Sequence, residues 1–553
     1  MKTRSLRMLA GMLAFIMIST ASMCKKEETG DSPVISATEV LEQRVPLLAG
    51  RNNEPSLAVK FSLTAGQEPL VLKSAEVTLA PGSRTAGVAS VSVSYQGSAH
   101  DPSLDPLLGN APIEGSGAIL KVRRELDTGI HFIRFGFLLK ENPDLLTALD
   151  VASLRLTFEN HVDIVVKPAG HYVWRPALVL RGAGQDNCDT YRIPGLVTTR
   201  EGTLIAVYDN RYNNSKDLQE DIDVGMSRST DGGQSWEPMR VIMDLGEWGG
   251  RPQRLNGVGD PAVLYDHTTG TIWVAALWIS GFNEKDMLWW ASKPGMNPDE
   301  TGQFLLVKST DDGLTWSDPI NITEQIKDPA WQLLFQGPGA GITLADGTLV
   351  FAAQFKMDTG SKALDGGQYT CHSTIVYSKD GGQSWHIGTG AKPNTTEAQV
   401  VQLSDGGLML NMRDDLNRRA KDDTNGRAVS VTHDLGQTWT MHPTSNSALQ
   451  EPNCMASIIG ADLTVNGKTQ RVLFFSNPNN KNERTNMTIK ASLDNGNTWP
   501  ETLQVELNAL AGYGYSCLTM VDENHLGILY EGVKELYFQK VPVAEVLNLG
   551  GFR

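Results

Sequence analysis

The chain has 553 residues and a formal net charge of −15, with 40% apolar and 20% charged residues. This composition belongs to a folded globular protein and excludes a largely disordered one. The acidic balance argues against nucleic acid as a partner, because phosphate binding needs a basic surface. The 54 glycines and 12 tryptophans favour an all-β fold with many turns.

The beginning of the chain has the pattern of an export signal followed by a polar tether. A basic start precedes an apolar run over residues 8–18, which is too short to span a bilayer comfortably. We therefore predict a signal peptide over residues 1–23 and a tether over residues 24–35. Cys24 stands where a bacterial lipoprotein carries its lipid, although Met23 departs from the usual preceding residue. A lipid-anchored outer-membrane or cell-surface protein and a periplasmic or secreted protein both stay open.

Residues 36–172 predict a small β-sandwich. Segments such as LAVKFSL, VASVSVSY and LRLTFEN alternate apolar and polar residues, which is the pattern of half-buried strands. The segments PGSRTAG and ENPD supply turns between them. Two functions stay open for this domain, a carbohydrate-binding module and a spacer.

A short motif then recurs five times between residues 229 and 499. The copies are STDGGQSW, STDDGLTW, SKDGGQSW, THDLGQTW and SLDNGNTW, and their aspartates lie 80, 69, 54 and 60 residues apart. This spacing is typical of one copy in each four-stranded blade of a β-propeller. Residues 173–553 are therefore predicted to form a propeller.

The repeated residues have structural functions rather than catalytic ones. The aspartate can accept hydrogen bonds from backbone N–H groups of its own turn, and the glycine can adopt a positive φ. The tryptophan can bury a large area between blades. We therefore leave these aspartates and tryptophans out of the candidate site.

Together with the tripeptide Arg192-Ile193-Pro194, the repeats make residues 180–545 similar to the bacterial sialidase (neuraminidase) family. The resemblance implies a six-bladed propeller, since one blade of the family commonly lacks a recognisable copy of the repeat. It also implies an exo-α-sialidase, a glycoside hydrolase that removes terminal sialic acid from glycans. The N-terminal domain resembles the domain that precedes the propeller in some sialidases.

Three arginines match the carboxylate-binding positions of the family. They are Arg192, Arg413 in the segment GGLMLNMR, and Arg484 shortly before the fifth copy of the repeat. Sialic acid carries a carboxylate on its anomeric carbon, and a guanidinium group is always charged and pairs bidentately with such an anion. Three arginines in one cleft would allow an acidic protein to bind an anionic sugar.

Three more residues match the catalytic positions of the family, namely Asp217, Glu397 and Tyr515, with Tyr513 as the competing tyrosine. A carboxylate nucleophile would be repelled by the carboxylate of the substrate, whereas a neutral phenol avoids that repulsion. The resemblance implies that Tyr515 attacks, that Glu397 takes its proton and that Asp217 protonates the departing oxygen. Two displacements at one carbon would retain its configuration.

Other residues are matched to substrate contacts or to structure. The resemblance places Arg211 and Asp260 against further polar groups of the sugar. Trp278 has two equally supported interpretations, a wall of the acetyl pocket and core packing. The segment GPGAGI is interpreted as a structural turn, because it has no P-loop lysine.

The predicted partners are sialylated glycans of mucins, glycoproteins and gangliosides, and we expect a monomer. No cofactor or metal site is predicted. The cysteines after Cys24 show no zinc or redox spacing, so buried thiols and up to two disulfides both stay open. Two other functions are retained as alternatives: trans-sialidase transfer to a sugar acceptor, and a non-catalytic propeller that only binds sialoglycans.

Overall fold

The computed structural model describes residues 34–64, 69–97, 107–159, 161–218, 220–280, 287–358, 360, 362–363 and 366–549. Over these residues β-strands dominate, which confirms the all-β class, and the α-helices are short: Leu288–Ala291, Thr323–Ile326 and Val543–Val546. The chain divides into two compact units, residues 1–143 with 147–174, and residues 144–146 with 175–553. The predicted signal peptide, Cys24 and most of the tether lie outside the described residues.

Two antiparallel sheets form the first unit and bury a shared apolar core. The strand order of the first sheet is Val34–Glu42, Leu57–Thr64, Gly129–Leu139, Val88–Gln96, Leu107–Ala111. The order of the second is Ile164–Val166, Leu149–Phe158, Leu70–Leu79, Gly117–Leu126, and the short strand Val173–Trp174 pairs with Leu149–Phe158. A two-residue strand, Leu47–Leu48, follows the first strand in the chain. Alternate residues such as Phe61, Phe135, Val77 and Leu154 enter the core, which explains the alternating pattern of the sequence.

The strands of the second unit pair in antiparallel sets along the chain. The first five sets are Thr190–Thr198, Leu204–Arg211, Ile222–Ser229, Arg240–Met243; Asn256–Tyr265, Ile272–Ser280, Gln303–Ser309, Ile320–Asn321; Trp331–Gln336, Leu349–Met357, Thr370–Ser378, His386–Ile387; Thr395–Gln402, Leu408–Asp414, Ala428–Thr432, Thr440–Met441; and Ser457–Val465, Lys468–Pro478, Met487–Ser492, Gln504–Asn508. A further set pairs the start of the unit with its end, in the order Pro176–Arg181, Leu536–Pro542, His525–Glu531, Ser516–Asp522. Single short strands add to these sets: Gly339–Ala340, Ile342–Thr343 and Lys392–Pro393.

Neighbouring sets pack their apolar faces against each other. Leu264 and Phe304 of one set share a buried cluster with Phe351 of the next, and Trp385 of a repeated motif joins the same cluster. Trp236 of the first motif makes an edge contact with Phe538, with ring centroids 5.2 Å apart. The tryptophans of these motifs therefore pack between sets of strands, where a large aromatic side chain buries most apolar area.

The five repeated motifs form the same hydrogen-bonded turn. In the first copy, Asp231 accepts a hydrogen bond from the Ser229 hydroxyl at 2.9 Å, and from the backbone N–H and hydroxyl of Ser235 at 2.9 and 2.5 Å. The same bonds recur in the other four copies. The glycines of the motif have φ between +79° and +87°. Each aspartate is thus used within its own turn, as the sequence predicts.

From the hydrogen bonds of these turns we predict that the folded protein loses stability in acid. Hydrogen bonds from the Thr315, Ser384 and Thr438 hydroxyls lower the pKa values of Asp311, Asp380 and Asp434 from about 3.8 to about 2. A carboxyl whose pKa is depressed in the folded state stabilises that state above the unfolded pKa. This contribution is lost as the pH falls from about 4 through about 2.

Thermal unfolding of an Asp434→Asn variant measures the effect. We expect its melting temperature to lie below that of the wild type at pH 7, and the two values to converge as the pH approaches about 2. A difference that stays constant between pH 7 and pH 2 would contradict this account of the turn.

Four cysteines lie in the described part of the chain, and all are free thiols in the interior: Cys188, Cys371, Cys454 and Cys517. Of the two alternatives left by the sequence, the structure has buried thiols rather than disulfides. Within the described residues, no helix has the length and apolar character needed to cross a membrane.

Candidate active site

Three strands of the second unit contain an irregular register, and each irregularity contains or adjoins a predicted site residue. Shifts in pairing lie beside Arg192 in Thr190–Thr198, at Asp260 in Asn256–Tyr265, and at Glu397 in Thr395–Gln402. A β-bulge bends a strand locally and turns a side chain away from the regular alternation. The bulges therefore release the side chains of Asp260 and Glu397 from the regular alternation of the sheets, and the third bulge bends the strand directly after Arg192.

Two of these bulges contain strained backbone. Ile193 has φ of +59° and Asp260 has φ of +54°, and each residue precedes a proline. A positive φ is unfavourable for a β-branched residue such as Ile193, and it persists only where the surroundings impose it. The strained positions are the site residue Asp260 and the immediate neighbour of the site residue Arg192.

Glu531 fixes Arg192 and the backbone around it. Its fully buried carboxylate accepts hydrogen bonds from Arg192 Nε and Nη2 at 3.0 and 3.4 Å, and from the backbone N–H groups of Ile193 and Tyr515, both at 2.9 Å. One carboxylate thus joins two predicted site residues that are 323 positions apart in the sequence. Glu531 is not among the residues predicted from the sequence.

Tyr515, Glu397 and Arg413 form a hydrogen-bonded group. The Tyr515 hydroxyl donates to Glu397 Oε1, and Arg413 Nη1 donates to Glu397 Oε2 at 2.5 Å and to the Tyr515 oxygen at 3.1 Å. Burial raises the pKa of Tyr515 well above its usual value, and the Glu397 carboxylate raises it further, against the lowering effect of nearby arginines. Tyr515 is therefore a neutral phenol with a carboxylate positioned to accept its proton.

Tyr513 lies beside this group but has different contacts. The Arg192 guanidinium carbon lies 4.8 Å from the centroid of the Tyr513 ring and 5.1 Å from that of Tyr515. No described residue forms a hydrogen bond with the Tyr513 hydroxyl, whereas the Tyr515 hydroxyl bonds to Glu397. The geometry thus favours Tyr515 over Tyr513 as the tyrosine that can be deprotonated.

Arg484 and Arg413 meet at Asn453. Arg413 Nη2 donates to the Asn453 side chain at 2.9 Å, and Arg484 Nη2 donates to the Asn453 backbone oxygen at 3.2 Å. Arg484 lies 5.5 Å from the centroid of the Tyr515 ring. All three predicted arginines therefore surround Tyr515, and Asn453, which the sequence reasoning missed, orients two of them.

Asp217 stands on the other side of Arg192. Its Oδ1 accepts hydrogen bonds from Arg192 Nη1 at 3.3 Å and from Arg211 Nη1 at 2.8 Å, while its side chain stays 65% exposed. Desolvation raises the pKa of Asp217, but the Arg211 and Arg192 guanidinium groups lower it more strongly, and the net pKa is below the usual value. Asp217 is thus an accessible carboxylate.

Arg211 is largely occupied by the protein itself. It is 1% exposed, its Nε and Nη2 donate to Asp209 at 3.1 and 2.9 Å, and its Nη1 donates to the Ser215 and Lys216 carbonyls as well as to Asp217. Within the described chain these contacts leave one N–H of Nη2 for a ligand. Arg211 therefore organises the Asp217 segment and has limited capacity for a substrate contact.

Asp260 completes the group of predicted residues. Its backbone N–H donates to Asp209 Oδ1 at 2.8 Å, and its backbone oxygen accepts from Gln336 at 2.6 Å. Burial raises the pKa of Asp260 well above its usual value, and the Asp209 and Glu397 carboxylates add to the effect. The raised pKa favours the protonated carboxyl, which can donate a hydrogen bond to a hydroxyl group.

The structure thus brings all eight predicted site residues into one connected network. Trp278 lies elsewhere: it is 0% exposed, packs edge-on against Trp248 and bonds to Asn256, so core packing is the correct interpretation of the two. No group of residues in the described chain has the composition and geometry of a metal site.

Known proteins are similar to this chain in sequence and in architecture. Residues 193–531 match the family model described as a BNR repeat-like domain. The chain is 40% identical to a sialidase of Bacteroides fragilis (strain YCH46) over 548 residues, which cover 93% of this chain and 97% of the relative. It is 31% identical to a sialidase of Micromonospora viridifaciens over 356 residues, covering 63% of this chain and 50% of that one. The solved structure of the Hadza microbial sialidase Hz136 is 41% identical, with a TM-score of 0.77, covering 91% of this chain and 99% of that chain.

The fold and these relatives define the protein as an all-β glycoside hydrolase. More closely, the chain belongs to the bacterial sialidase family with BNR repeats, and its activity is the hydrolysis of sialic acid linkages. The family resemblance drawn from the Arg-Ile-Pro tripeptide and the five repeats is therefore confirmed.

Proposed function

We propose that this protein is an exo-α-sialidase that retains anomeric configuration through a covalent intermediate on Tyr515. The observation that carries the proposal is the hydrogen bond from the Tyr515 hydroxyl to Glu397, in the middle of three arginines. A phenol beside a carboxylate is an activated nucleophile, and the arginines are suited to the carboxylate of sialic acid.

Substrate binding places the sugar carboxylate among Arg192, Arg413 and Arg484. Tyr515 then attacks the anomeric carbon, its hydroxyl proton passes to Glu397, and the bond from the anomeric carbon to the glycan oxygen breaks. Asp217 gives its proton to that oxygen, so the glycan leaves as a neutral alcohol. In the second step Asp217 takes a proton from water, the water oxygen bonds to the anomeric carbon, and Tyr515 leaves with the proton held by Glu397.

Asp217 needs a proton for the first step, although its pKa lies below the usual value. The substrate carboxylate would engage Arg192, one of the two guanidinium groups that lower this pKa. A negative charge beside Arg192 offsets its effect on Asp217 and favours protonation. Binding of the substrate therefore prepares its own general acid.

The remaining polar contacts are assigned to the sugar ring. We assign Asp260 and the remaining N–H of Arg211 to the side of the 4-hydroxyl group, because the raised pKa of Asp260 favours a protonated carboxyl that can donate a hydrogen bond there. The substrates are terminal sialic acids on mucins, glycoproteins and gangliosides.

The architecture proposed for this function has two domains. The six sets of strands in the second unit act as six blades of one propeller over residues 173–553, with five blades carrying the repeated turn. Residues 36–172 form a β-sandwich that binds carbohydrate or separates the propeller from its attachment. The protein is exported as a monomer through the signal over residues 1–23, either with a lipid on Cys24 or without one.

Hydrolysis of 3′-sialyllactose followed by proton NMR tests the reaction. We expect α-sialic acid to appear first and to convert to the β anomer by mutarotation, because two inversions at one carbon restore its configuration. Initial formation of the β anomer would overturn the Tyr515 mechanism. Adding labelled lactose distinguishes hydrolysis from transfer, since a trans-sialidase would convert the labelled lactose into labelled sialyllactose.

A further inference from the structure

Among the proposed catalytic residues, Asp217 is held differently from the others. Glu397 lies in the strand Thr395–Gln402, and Tyr515 directly precedes the strand Ser516–Asp522. Asp217 lies in the loop of residues 212–221, and its side chain is 65% exposed, compared with 12% for Glu397. Catalysis requires placement within a fraction of an ångström, so an exposed loop carboxylate needs a dedicated support.

The first half of this loop is held by polar contacts. Arg211 Nη1 donates to the Ser215 and Lys216 carbonyls at 3.0 and 2.8 Å. Asn214 accepts from the Lys216 backbone N–H at 2.9 Å and donates to Glu220 at 2.6 Å. These bonds fix the backbone before Asp217 and link it to the side chain of Glu220, whereas the residue that directly follows Asp217 is apolar and buried.

Leu218 follows Asp217 directly and is buried. Of the described residues in the loop, only Leu218 is fully buried, at 4% exposure. It enters an apolar cluster with Leu288, Leu333 and Phe335, which come from a short helix and a strand outside the loop. A Cβ atom on Gly259 would lie 2.8 Å from Cδ2 of Leu218, so the glycine makes room for this side chain.

We infer that Leu218 is a positioning residue for the general acid, because its burial fixes the carboxylate of Asp217 against the departing glycan oxygen. The inference rests on the proposed role of Asp217. Leu218 touches no reacting atom, so its influence must pass through Asp217. Loss of the anchor should therefore impair proton donation selectively and leave nucleophilic attack by Tyr515 intact.

Two substrates whose leaving groups differ in acidity test whether Leu218→Ala impairs proton donation alone. We expect Leu218→Ala to lower kcat for 3′-sialyllactose by about 10²-fold, the scale of a misplacement of about 1 Å. For 4-methylumbelliferyl sialoside we expect a loss of a few-fold at most, because an acidic phenol departs with little help from a general acid. Leu218→Met, which refills the cluster, should restore the rate on sialyllactose.

Two controls separate positioning from general damage. Leu473→Ala removes a fully buried leucine far from the loop in sequence, and should lower the melting temperature without changing the ratio of the two rates. In an Asp217→Ala background, Leu218→Ala should have no further effect on sialyllactose, because residues that act as one unit are not additive. Equal losses of rate on both substrates would overturn the inference. So would a loss from Leu218→Ala in the Asp217→Ala background as large as its loss in the wild-type background. A wild-type protein inactive on both substrates would instead refute the proposed function.

Discussion

Replacing Tyr515 by phenylalanine is expected to lower kcat for sialosides by roughly 10³-fold or more, the scale on which enzymes lose rate with their nucleophile. The change removes one oxygen atom, and with it the hydrogen bonds to Glu397 and Arg413. Phenylalanine keeps the ring that packs against Arg192 and Arg484. Binding of a sialic acid analogue should therefore change much less than kcat, and steady-state kinetics with an aryl sialoside measures both.

Tyr513→Phe is the matched control. It removes the same atom from a tyrosine two positions away, whose ring also packs against Arg192 but whose hydroxyl bonds to no described residue. We expect its kcat to stay within a few-fold of the wild type. A fully active Tyr515→Phe protein together with an inactive Tyr513→Phe protein would show that the nucleophile has been assigned to the wrong tyrosine.

The all-β class could be predicted because its signal is local. Alternation with a period of two marks the strands of residues 36–172, and the five repeated turns mark the later ones. Pairing between distant segments carries no such signal. The strand Pro176–Arg181 pairs with Leu536–Pro542, and nothing in either segment identifies the other as its partner.

The site residues also fall into a group that could be predicted from the sequence and a group that could not. Residues that would touch the sugar belong to short motifs and were recognised by resemblance, whereas the carboxylates that hold them were not. Asp209 stands two positions before Arg211, and residues two apart in a strand share a face, so their pairing could have been predicted. Glu531 ends the apolar segment LGILYE, and a carboxylate there needs a cationic partner, although the sequence does not show which.

Glu531→Gln is expected to lower the free energy of unfolding by about 3 to 5 kcal/mol, the cost of breaking a buried ion pair from one side. Glu531 is fully buried and accepts four hydrogen bonds, two from Arg192 and one each from the Ile193 and Tyr515 backbones. A glutamine amide keeps one acceptor oxygen, but its NH₂ group would face N–H donors. Urea denaturation followed by tryptophan fluorescence measures the loss.

The same substitution should also raise KM for sialosides, because Arg192 loses the charged partner that orients it towards the site. Glu237→Gln provides the control, since Glu237 also pairs with an arginine, Arg228, but is 40% exposed. An exposed pair contributes at most about 1 kcal/mol, and Arg228 lies in the strand Ile222–Ser229, which carries no site residue. If Glu531→Gln cost no more stability than Glu237→Gln and left KM unchanged, the hydrogen bonds of Glu531 could not be what holds Arg192 and the Tyr515 backbone together. The strained φ of Ile193 would then need another source of compensation, because Glu531 is the side chain that binds its N–H group.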